Sequence, residues 1–216
     1  MEGPTGVKIE GGRLVGDHVD HVTSPNHGET FANGGPDTLI LHHTACASAA
    51  SAVRILMDPQ RQVSAHLVVA EDGTITQLLP FNIIGWHAGR SAWADRTEFN
   101  QFSIGVEIDN PGRLHQRDGR LFTWFEREIA EADAVQGVHR NESASSWWHR
   151  YPTRQLEMVE QLCQLLVSTY SVRYILGHEE VAPQRKVDPG PAFPLDQIRS
   201  RVLGDVPSPS TDAGTP

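Results

Sequence analysis

The chain has 216 residues, of which 38% are hydrophobic and 21% are charged, values typical of one soluble globular domain that buries a core. Its formal net charge of −9 argues against nucleic acid or an anionic membrane surface as a partner, because both attract a basic face. No apolar run approaches the roughly 18–20 residues that span a bilayer. The first residues lack the pattern of a secretory signal peptide, so we expect a cytoplasmic protein unless a non-Sec route exports it or cell lysis releases it.

The two ends of the chain differ in composition from the middle. Residues 1–33 are rich in Gly, Asp, His and Asn, and we expect an N-terminal arm that lies over a domain surface, with one strand near residues 12–15. Residues 205–216 consist mainly of Pro, Ser, Thr and Gly, a composition that predicts a disordered tail. The folded domain is therefore predicted to span residues 34–204.

Between these ends the hydrophobic pattern alternates between strands and helices. Short apolar or alternating runs predict strands, and apolar residues at helical spacing predict helices. In chain order the predicted elements are a strand at 38–41, a helix at 49–57, a hairpin at 64–70 and 74–79, a strand at 103–109, a helix at 153–170, a strand at 173–176 and a helix at 194–203. This order predicts an α/β fold, a single domain with a central mixed β-sheet flanked by helices.

Residues 111–151 are the least regular part of the predicted domain, and they contain Trp124, Trp147 and Trp148. We interpret this segment as an insertion with a short helix of its own near residues 124–134. Two cysteines, Cys46 and Cys163, are too few for a disulfide framework, and we expect both to be buried free thiols.

Two predicted strands lead into histidines, and a stiff loop supplies a carboxylate. His42 and His178 follow strands, and strand ends are where open α/β sheets bind ligands. Asp188 precedes the sequence Pro-Gly-Pro, whose restricted backbone suits a metal ligand that must keep its geometry. Two imidazoles and one carboxylate leave a fourth tetrahedral position open, as in catalytic zinc sites, although manganese or cobalt suits the same donors. The alternative interpretation is a hydrogen-bonded polar cluster at the sheet edge.

Five motifs in chain order carry a family resemblance. They are His42-His43-Thr44-Ala45, Ser64-Ala65-His66-Leu67-Val68, Trp86-His87-Ala88-Gly89, Asn100 followed by Ser103-Ile104-Gly105-Val106-Glu107-Ile108, and Gly177-His178-Glu179 followed by Arg185-Lys186-Val187-Asp188-Pro189-Gly190. Together they resemble the type-2 N-acetylmuramoyl-L-alanine amidases, a family that includes AmpD-like amidases, phage-type lytic amidases and peptidoglycan recognition proteins. The resemblance covers about residues 38–203, and the combination of motifs is specific although each motif alone is weak.

The resemblance implies a peptidoglycan recognition protein-like amidase fold and a Zn²⁺ cofactor. In this family the metal is held by residues that match His42, His178 and Asp188 of this chain. Strand alternation indicates that only one of His42 and His43 faces the site, and the choice of His42 comes from the family. His43 is expected to pack or to make a hydrogen bond that orients a ligand.

The resemblance also implies the reaction, which is hydrolysis of the amide bond between N-acetylmuramic acid and L-alanine in peptidoglycan or muropeptides. Glu107 matches the family's general base, and Lys186 matches the residue that stabilises the oxyanion. The strand pattern places Glu107 on a polar face, and we expect Gly105 beside it to leave room for a ligand. The alternative interpretation of Glu107 is an exposed carboxylate on the strand surface, and that of Lys186 is a solvated lysine in a loop.

One position departs from many members of the family. Ala65 stands where many phage and animal members have a tyrosine that takes part in catalysis, so the chain resembles the members that use the glutamate. The residues predicted to line the substrate groove have side chains suited to sugar rings and carboxylates: His66, Trp86, His87, Arg90 and Trp93. Trp86 fits a core position equally well, and Arg90 and Trp93 also fit ordinary loop positions.

Three classes of function are open at this stage. They are an amidase acting on intact wall or released muropeptides, a peptidoglycan-binding module that keeps the metal without catalysis, and a metal-dependent hydrolase of another amide or ester. The presence of Glu107 and Lys186 favours the enzyme. A cytosolic recycling enzyme, a phage lysin and a secreted effector all fit the sequence, and an effector would have an immunity or secretion partner.

Overall fold

The computed structural model describes residues 6–32 and 34–204. Its strands are β1 (Lys8–Glu10), β2 (Arg13–Val15), β3 (Val19–His21), β4 (Thr38–His43), β5 (Leu67–Val69), β6 (Ile75–Gln77), β7 (Ala92–Trp93), β8 (Arg96–Thr97), β9 (Ser103–Ile108), β10 (Arg113–Arg117), β11 (Arg120–Phe122), β12 (Glu128–Ile129), β13 (Ala134–Val138), β14 (Ser145–His149) and β15 (Tyr174–Gly177). The α-helices are α1 (Ala49–Met57), α2 (Thr153–Thr169), α3 (His178–Val181) and α4 (Leu195–Leu203). None of these helices is long and apolar enough to cross a bilayer.

A six-stranded mixed sheet, called here the central sheet, forms the middle of the fold in the order β15-β4-β9-β5-β6-β3. Strands β15, β4, β9 and β5 run parallel, and β6 pairs antiparallel with β5. On one face, Ile104 and Val106 of β9 pack with Leu162 and Leu166 of α2 and Ile198 of α4. The predicted α/β fold with one mixed sheet flanked by helices is confirmed.

Helix α1 covers part of the opposite face and leaves the carboxyl ends of β4 and β9 accessible. Ala52 and Leu56 of α1 pack against Val68 on β5. The helix begins with a capping box at Ser48, and the Ala49 amide donates to Asp109 at 2.7 Å. Because Asp109 follows β9 directly, this hydrogen bond fixes the helix against the strand end where polar residues gather.

A second sheet occupies most of residues 111–151, and we call it the auxiliary sheet. It is antiparallel, with the strand order β12-β11-β10-β14-β13. The helix predicted near residues 124–134 is wrong, because this stretch forms a tight turn, the strand β12 and a short 3₁₀ turn at Glu131–Asp133. Four buried apolar residues form the small core of the auxiliary sheet: Leu114, Leu121, Ile129 and Ala134. The interpretation of this segment as an insertion stays a prediction.

The described part of the N-terminal arm is more closely joined to the domain than we expected. Strands β1 and β2 form a hairpin that includes the strand predicted near residues 12–15. Strand β3 pairs with β6 and becomes the edge strand of the central sheet, and Leu14 is fully buried. The tail predicted at residues 205–216 lies outside the described residues. Both cysteines are free thiols, but only Cys163 is buried, since Cys46 is partly exposed.

Candidate metal centre and active-site cleft

The register of the central sheet explains which histidine of the His42-His43 pair faces the site. His42 lies opposite Glu107 across the parallel pair β4 and β9, and adjacent residues in register point to the same face. That face is opposite to the one where Ile104 and Val106 pack against α2. His43 lies on the other side of its strand, with Nδ1 3.3 Å from the carbonyl oxygen of Pro189. The geometry therefore assigns His42 to the site and His43 to the loop that carries Asp188.

Three buried side chains converge on one point at this end of the sheet. The Nδ1 atoms of His42 and His178 lie 2.9 Å apart, and Asp188 Oδ2 lies 3.0 Å from the first and 2.9 Å from the second. His178 begins α3 directly after β15, and Asp188 comes from the loop that follows α3. Parallel pairing of β15 with β4 brings the two histidines together although 136 residues separate them.

Hydrogen bonds on the far side of each ring indicate which nitrogen carries the proton. His178 Nε2 lies 3.1 Å from the carbonyl oxygen of Ala88, and a carbonyl can only accept, so Nε2 is the donor. His87 Nε2 faces the Ser103 carbonyl at 3.3 Å, which leaves His87 Nδ1 to accept from His42 Nε2 at 3.1 Å. In this arrangement both Nδ1 atoms at the point of convergence present lone pairs.

A metal ion fits this donor set. Two lone pairs and a carboxylate oxygen repel one another unless a cation lies between them, and zinc with ligands at about 2.0–2.1 Å places tetrahedral donors about 3.3 Å apart. The three donor atoms lie 2.9–3.0 Å from one another, close to that spacing. These residues form a group that could hold a metal ion, and all three are buried.

The protonation of His42 and Asp188 suits metal binding. Burial, with the charge of His178 next, lowers the pKa of His42 to about 4, so its imidazole is neutral at physiological pH. Burial raises the pKa of Asp188, but the two neighbouring imidazoles outweigh this effect and hold it well below the usual value. Metal ligands must be deprotonated, and neither group has to lose a proton at neutral pH before it can ligate.

Glu107 and Lys186 flank the three donors. Glu107 Oε2 is buried, and it has no hydrogen-bond partner among the described residues. Burial and the charge of Asp188 raise the pKa of Glu107 to about 8, whereas the nearby charge of Lys186 lowers it. A pKa above neutral favours the protonated acid, so Glu107 needs nearby positive charge, such as that of Lys186, to ionise. In its ionised form, the free oxygen can accept a proton and later return it.

These groups form the floor of an open cleft of about 420 Å³. One wall comes from α1 and the loop before it, with Ala45, Cys46 and Ile55, and the other includes Arg185 and Lys186. Trp86 and His87 also line the cleft, and their predicted contacts with substrate stay predictions. Arg185 was not predicted to line the cleft. The Arg185 guanidinium donates to the carbonyl oxygens of Ala88 at 2.8 Å and Arg90 at 3.0 Å, which fixes it at the rim.

Three of the predicted groove residues do not line this cleft. His66 is fully buried, and its ring is held by the carbonyl oxygen of Ile83 at 2.8 Å and the amide of Gly105 at 3.0 Å, so it supports the sheet. Trp93 packs its ring against Tyr174 at 5.1 Å, and the exposed Arg90 contributes its carbonyl oxygen to Arg185. These three residues therefore lie outside the cleft as the structure has it, and their predicted contacts with substrate stay predictions.

Gly105 has a different role from the one we expected. A Cβ atom at this position would collide with the ring of His87. The glycine therefore leaves room for His87, whose ring lies 5.2 Å from that of His42 in an edge arrangement. The space beside Gly105 is filled by the ring of His87, which orients His42, and is not available to a substrate.

A buried hydrogen bond between α3 and the end of the auxiliary sheet was missed by sequence reasoning. Glu179, directly after His178, is 3% exposed and lies 2.7 Å from Nε2 of His139 at the end of β13. The same carboxylate accepts the amide of Gly190 at 3.0 Å, and the Glu179 amide donates to the carbonyl of Asp188 at 2.8 Å. Glu179 thus holds the backbone on both sides of Pro189, at Asp188 and at Gly190. Glu179 and His139 are 40 positions apart in the sequence, and no local pattern indicates that the two meet.

A mixed sheet that brings two imidazoles, a carboxylate and a free glutamate to its strand ends has the kind of site found in metal-dependent hydrolases. The sequence profile described as N-acetylmuramoyl-L-alanine amidase matches residues 32–191, so the chain belongs to the Amidase_2 family.

Relatives support this assignment. AmiD of Escherichia coli strain K12, an N-acetylmuramoyl-L-alanine amidase, is 29% identical over 178 residues, which cover 78% of this chain and 54% of AmiD. AmpD of the same organism, a 1,6-anhydro-N-acetylmuramyl-L-alanine amidase, is 31% identical over 66% of this chain and 58% of AmpD. The match thus spans little more than half the length of these two curated relatives.

A solved structure of similar fold contains a ligand. The complex of E. coli AmiD with the substrate anhydro-N-acetylmuramic acid-L-Ala-D-gamma-Glu-L-Lys matches with a TM-score of 0.61 and 25% identity. The match covers 94% of this chain and 68% of that one. The fold predicted from the family resemblance is confirmed by this similarity.

Proposed function

We propose that the protein is a zinc-dependent amidase that hydrolyses the bond between N-acetylmuramic acid and L-alanine in peptidoglycan or muropeptides. The observation that carries the proposal is the convergence of His42, His178 and Asp188 beside the unpartnered oxygen of Glu107 in an open cleft. Membership of the amidase family and the substrate named for the AmiD complex favour this bond over other amides.

We propose that His42, His178 and Asp188 hold the zinc ion. Zinc bound in this way supplies Lewis-acid chemistry, since it polarises a carbonyl and lowers the pKa of water toward about 7. His87 and the carbonyl of Ala88 keep the two imidazoles in the tautomer that ligation requires. Three protein donors would leave the cleft side of the site free for the reacting groups.

We propose that Glu107 is the general base in this reaction, because its buried oxygen without a partner lies beside the three donors. It takes a proton from the attacking water as the new carbon–oxygen bond forms at the lactyl carbonyl, and it returns the proton to the alanine nitrogen as the carbon–nitrogen bond breaks. The products are a free muramic acid carboxylate and a stem peptide with a free L-alanine amine. A positioned base of this kind contributes about 10²–10⁴-fold in rate.

Lys186 and Arg185 supply positive charge in a cleft whose other charged groups are acidic. Lys186 lines the cleft and is close enough to shift the pKa values of Glu107 and His42. We propose that its ammonium stabilises the oxyanion that forms at the carbonyl, an effect worth about 3–4 kcal/mol for a single donor. Arg185 suits the carboxylates of the stem peptide. The compartment in which the reaction takes place stays a prediction.

The test is mass spectrometry of purified peptidoglycan and of anhydro-muropeptide after incubation with the zinc-loaded protein. We expect free stem peptides that begin with L-alanine, together with sugars that have lost the peptide. The matched controls are His178→Ala, which removes a proposed ligand, and Arg61→Ala, which changes an exposed cation outside the cleft. Cleavage at another bond, or equal cleavage by His178→Ala, would refute the proposal.

A further inference from the structure

Trp124 is the most exposed large hydrophobic side chain in the described residues, and it lies beside the cleft. It occupies the tight turn between β11 and β12 and is 64% exposed. Its indole Nε1 donates to the carbonyl oxygen of Ala45 at 2.8 Å. Ala45 lines the cleft, three residues after His42. Because each residue spans at most about 3.6 Å, the Cα atom of Ala45 lies within about 11 Å of the Cα atom of His42.

Both partners of this hydrogen bond are held by other contacts. In the turn, the Thr123 amide donates to the Arg127 carbonyl at 2.9 Å, and the Arg127 amide donates to the Thr123 hydroxyl at 3.0 Å. On the cleft side, the Ala45 amide donates to the carbonyl of Asn110 at 3.0 Å. The indole is therefore fixed by its polar edge while most of its ring surface faces solvent, so a ligand would find the ring already in place.

The surroundings of Trp124 favour a carbohydrate over a protein surface. Stable protein interfaces bury about 800 Å² per partner around an apolar centre. The hairpin here carries exposed ion pairs instead, between Arg117 and Glu126 and between Arg120 and Glu128. A pyranose ring has one apolar C–H face, which stacks on an aromatic ring, and hydroxyl groups that suit charged neighbours.

We propose that Trp124 is a sugar-stacking platform that extends the cleft along the glycan strand of peptidoglycan. It would hold a sugar next to the muramic acid whose amide lies at the metal centre, so the protein would prefer a polymeric glycan to a single-sugar muropeptide. The inference rests on the proposed function, and it adds a binding site contributed by the auxiliary sheet.

Binding and turnover test this platform separately. Binding to insoluble peptidoglycan is measured with the Glu107→Gln protein, so that hydrolysis does not consume the ligand, and Trp124→Ala is added to this background. We expect about tenfold weaker binding for Trp124→Ala. Trp124→Phe keeps a ring but loses the hydrogen bond to Ala45, and an intermediate loss is expected. Val138→Ala, which shortens an exposed apolar residue of the same sheet, is the matched control and should bind normally.

Turnover is measured as the ratio of kcat/KM on peptidoglycan chains to kcat/KM on anhydro-muropeptide. We expect Trp124→Ala to lower this ratio about tenfold and Val138→Ala to leave it unchanged. Binding of Trp124→Ala equal to that of Val138→Ala, or a change in oligomeric state on losing the indole, would overturn the platform. If the wild type binds through Trp124 but cleaves nothing, the platform stands and the amidase proposal fails.

Discussion

The central sheet and the auxiliary sheet contribute to the candidate site in different ways. Strands β4 and β9 are largely buried on both faces, and they present His42 and Glu107 on a stiff backbone. The auxiliary sheet has a small apolar core and much exposed polar surface, and its side chains reach the site through His139 and Trp124. We infer that the proposed base and one proposed metal ligand come from the rigid sheet, whereas the proposed positioning contact and the proposed sugar platform come from the periphery.

The largest expected effect is on the central-sheet side. Glu107→Gln should fold, keep its metal and lose about 10²–10⁴-fold in kcat, because the amide cannot accept the proton from water. Steady-state kinetics together with metal content measures both quantities. If Glu107→Gln turned over substrate at close to the normal rate, the central sheet would hold the metal without supplying the base.

A smaller effect is expected from the auxiliary-sheet contact. Glu179→Gln replaces a buried carboxylate that lies 2.7 Å from His139 and accepts the Gly190 amide. We expect a loss of about 1–3 kcal/mol in the free energy of unfolding. Metal affinity should fall about tenfold, since the ligand loop loses its anchor. Denaturant titration and competition with a metal chelator give the two values.

The matched control for this change is Glu142→Gln, which breaks an exposed pair with Arg113 on the auxiliary sheet. Exposed pairs contribute less than about 1 kcal/mol, so this variant should be close to wild type in both measurements. Equal behaviour of Glu179→Gln and Glu142→Gln would show that the auxiliary sheet does not position the metal loop.

The smallest effect concerns His66, a support of the central sheet. Burial lowers the pKa of His66 to about 4 from an ordinary value of 6.5, so the unfolded chain binds more protons between these pH values. The contribution of neutral, buried His66 to the stability of the fold is therefore fully present above pH 6.5 and is lost as the pH falls toward 4. Between pH 7 and 5 we expect His66 to account for a loss of about 1–2 kcal/mol.

Denaturant titrations at several pH values give the free energy of unfolding of the wild type and of His66→Asn. The contribution of His66 is the difference between the two proteins in how steeply this free energy changes with pH. The variant should be less stable at pH 7 yet less sensitive to acid. Identical slopes for the two proteins would mean that His66 takes up protons in the folded state, as a cleft residue would.

Much of the central sheet could be predicted from the sequence. Strict alternation in residues 103–109 and helical spacing in 153–170 match β9 and α2, because in both elements the apolar residues of one face pack in the hydrophobic core and recur at a fixed period. Bringing His42, His178 and Asp188 together needed the family motifs, since parallel pairing of β4 with β15 joins residues that are far apart in sequence.

The auxiliary sheet could not be predicted in the same way. Its strands are two to five residues long and exposed along much of their length, so no apolar period separates them from loops. The role of Gly105 also depends on a ring contributed by another segment, His87, and no local pattern reports that contact. The same reason hid the contact between Glu179 and His139.

The most direct test of the central claim is the zinc content of the purified protein after dialysis against zinc-containing and then metal-free buffer. We expect about one zinc per chain in the wild type and in Glu107→Gln, and none in His178→Ala. Addition of zinc to chelator-treated wild-type protein should restore amidase activity. Full activity of a wild-type protein that contains no metal would contradict the account.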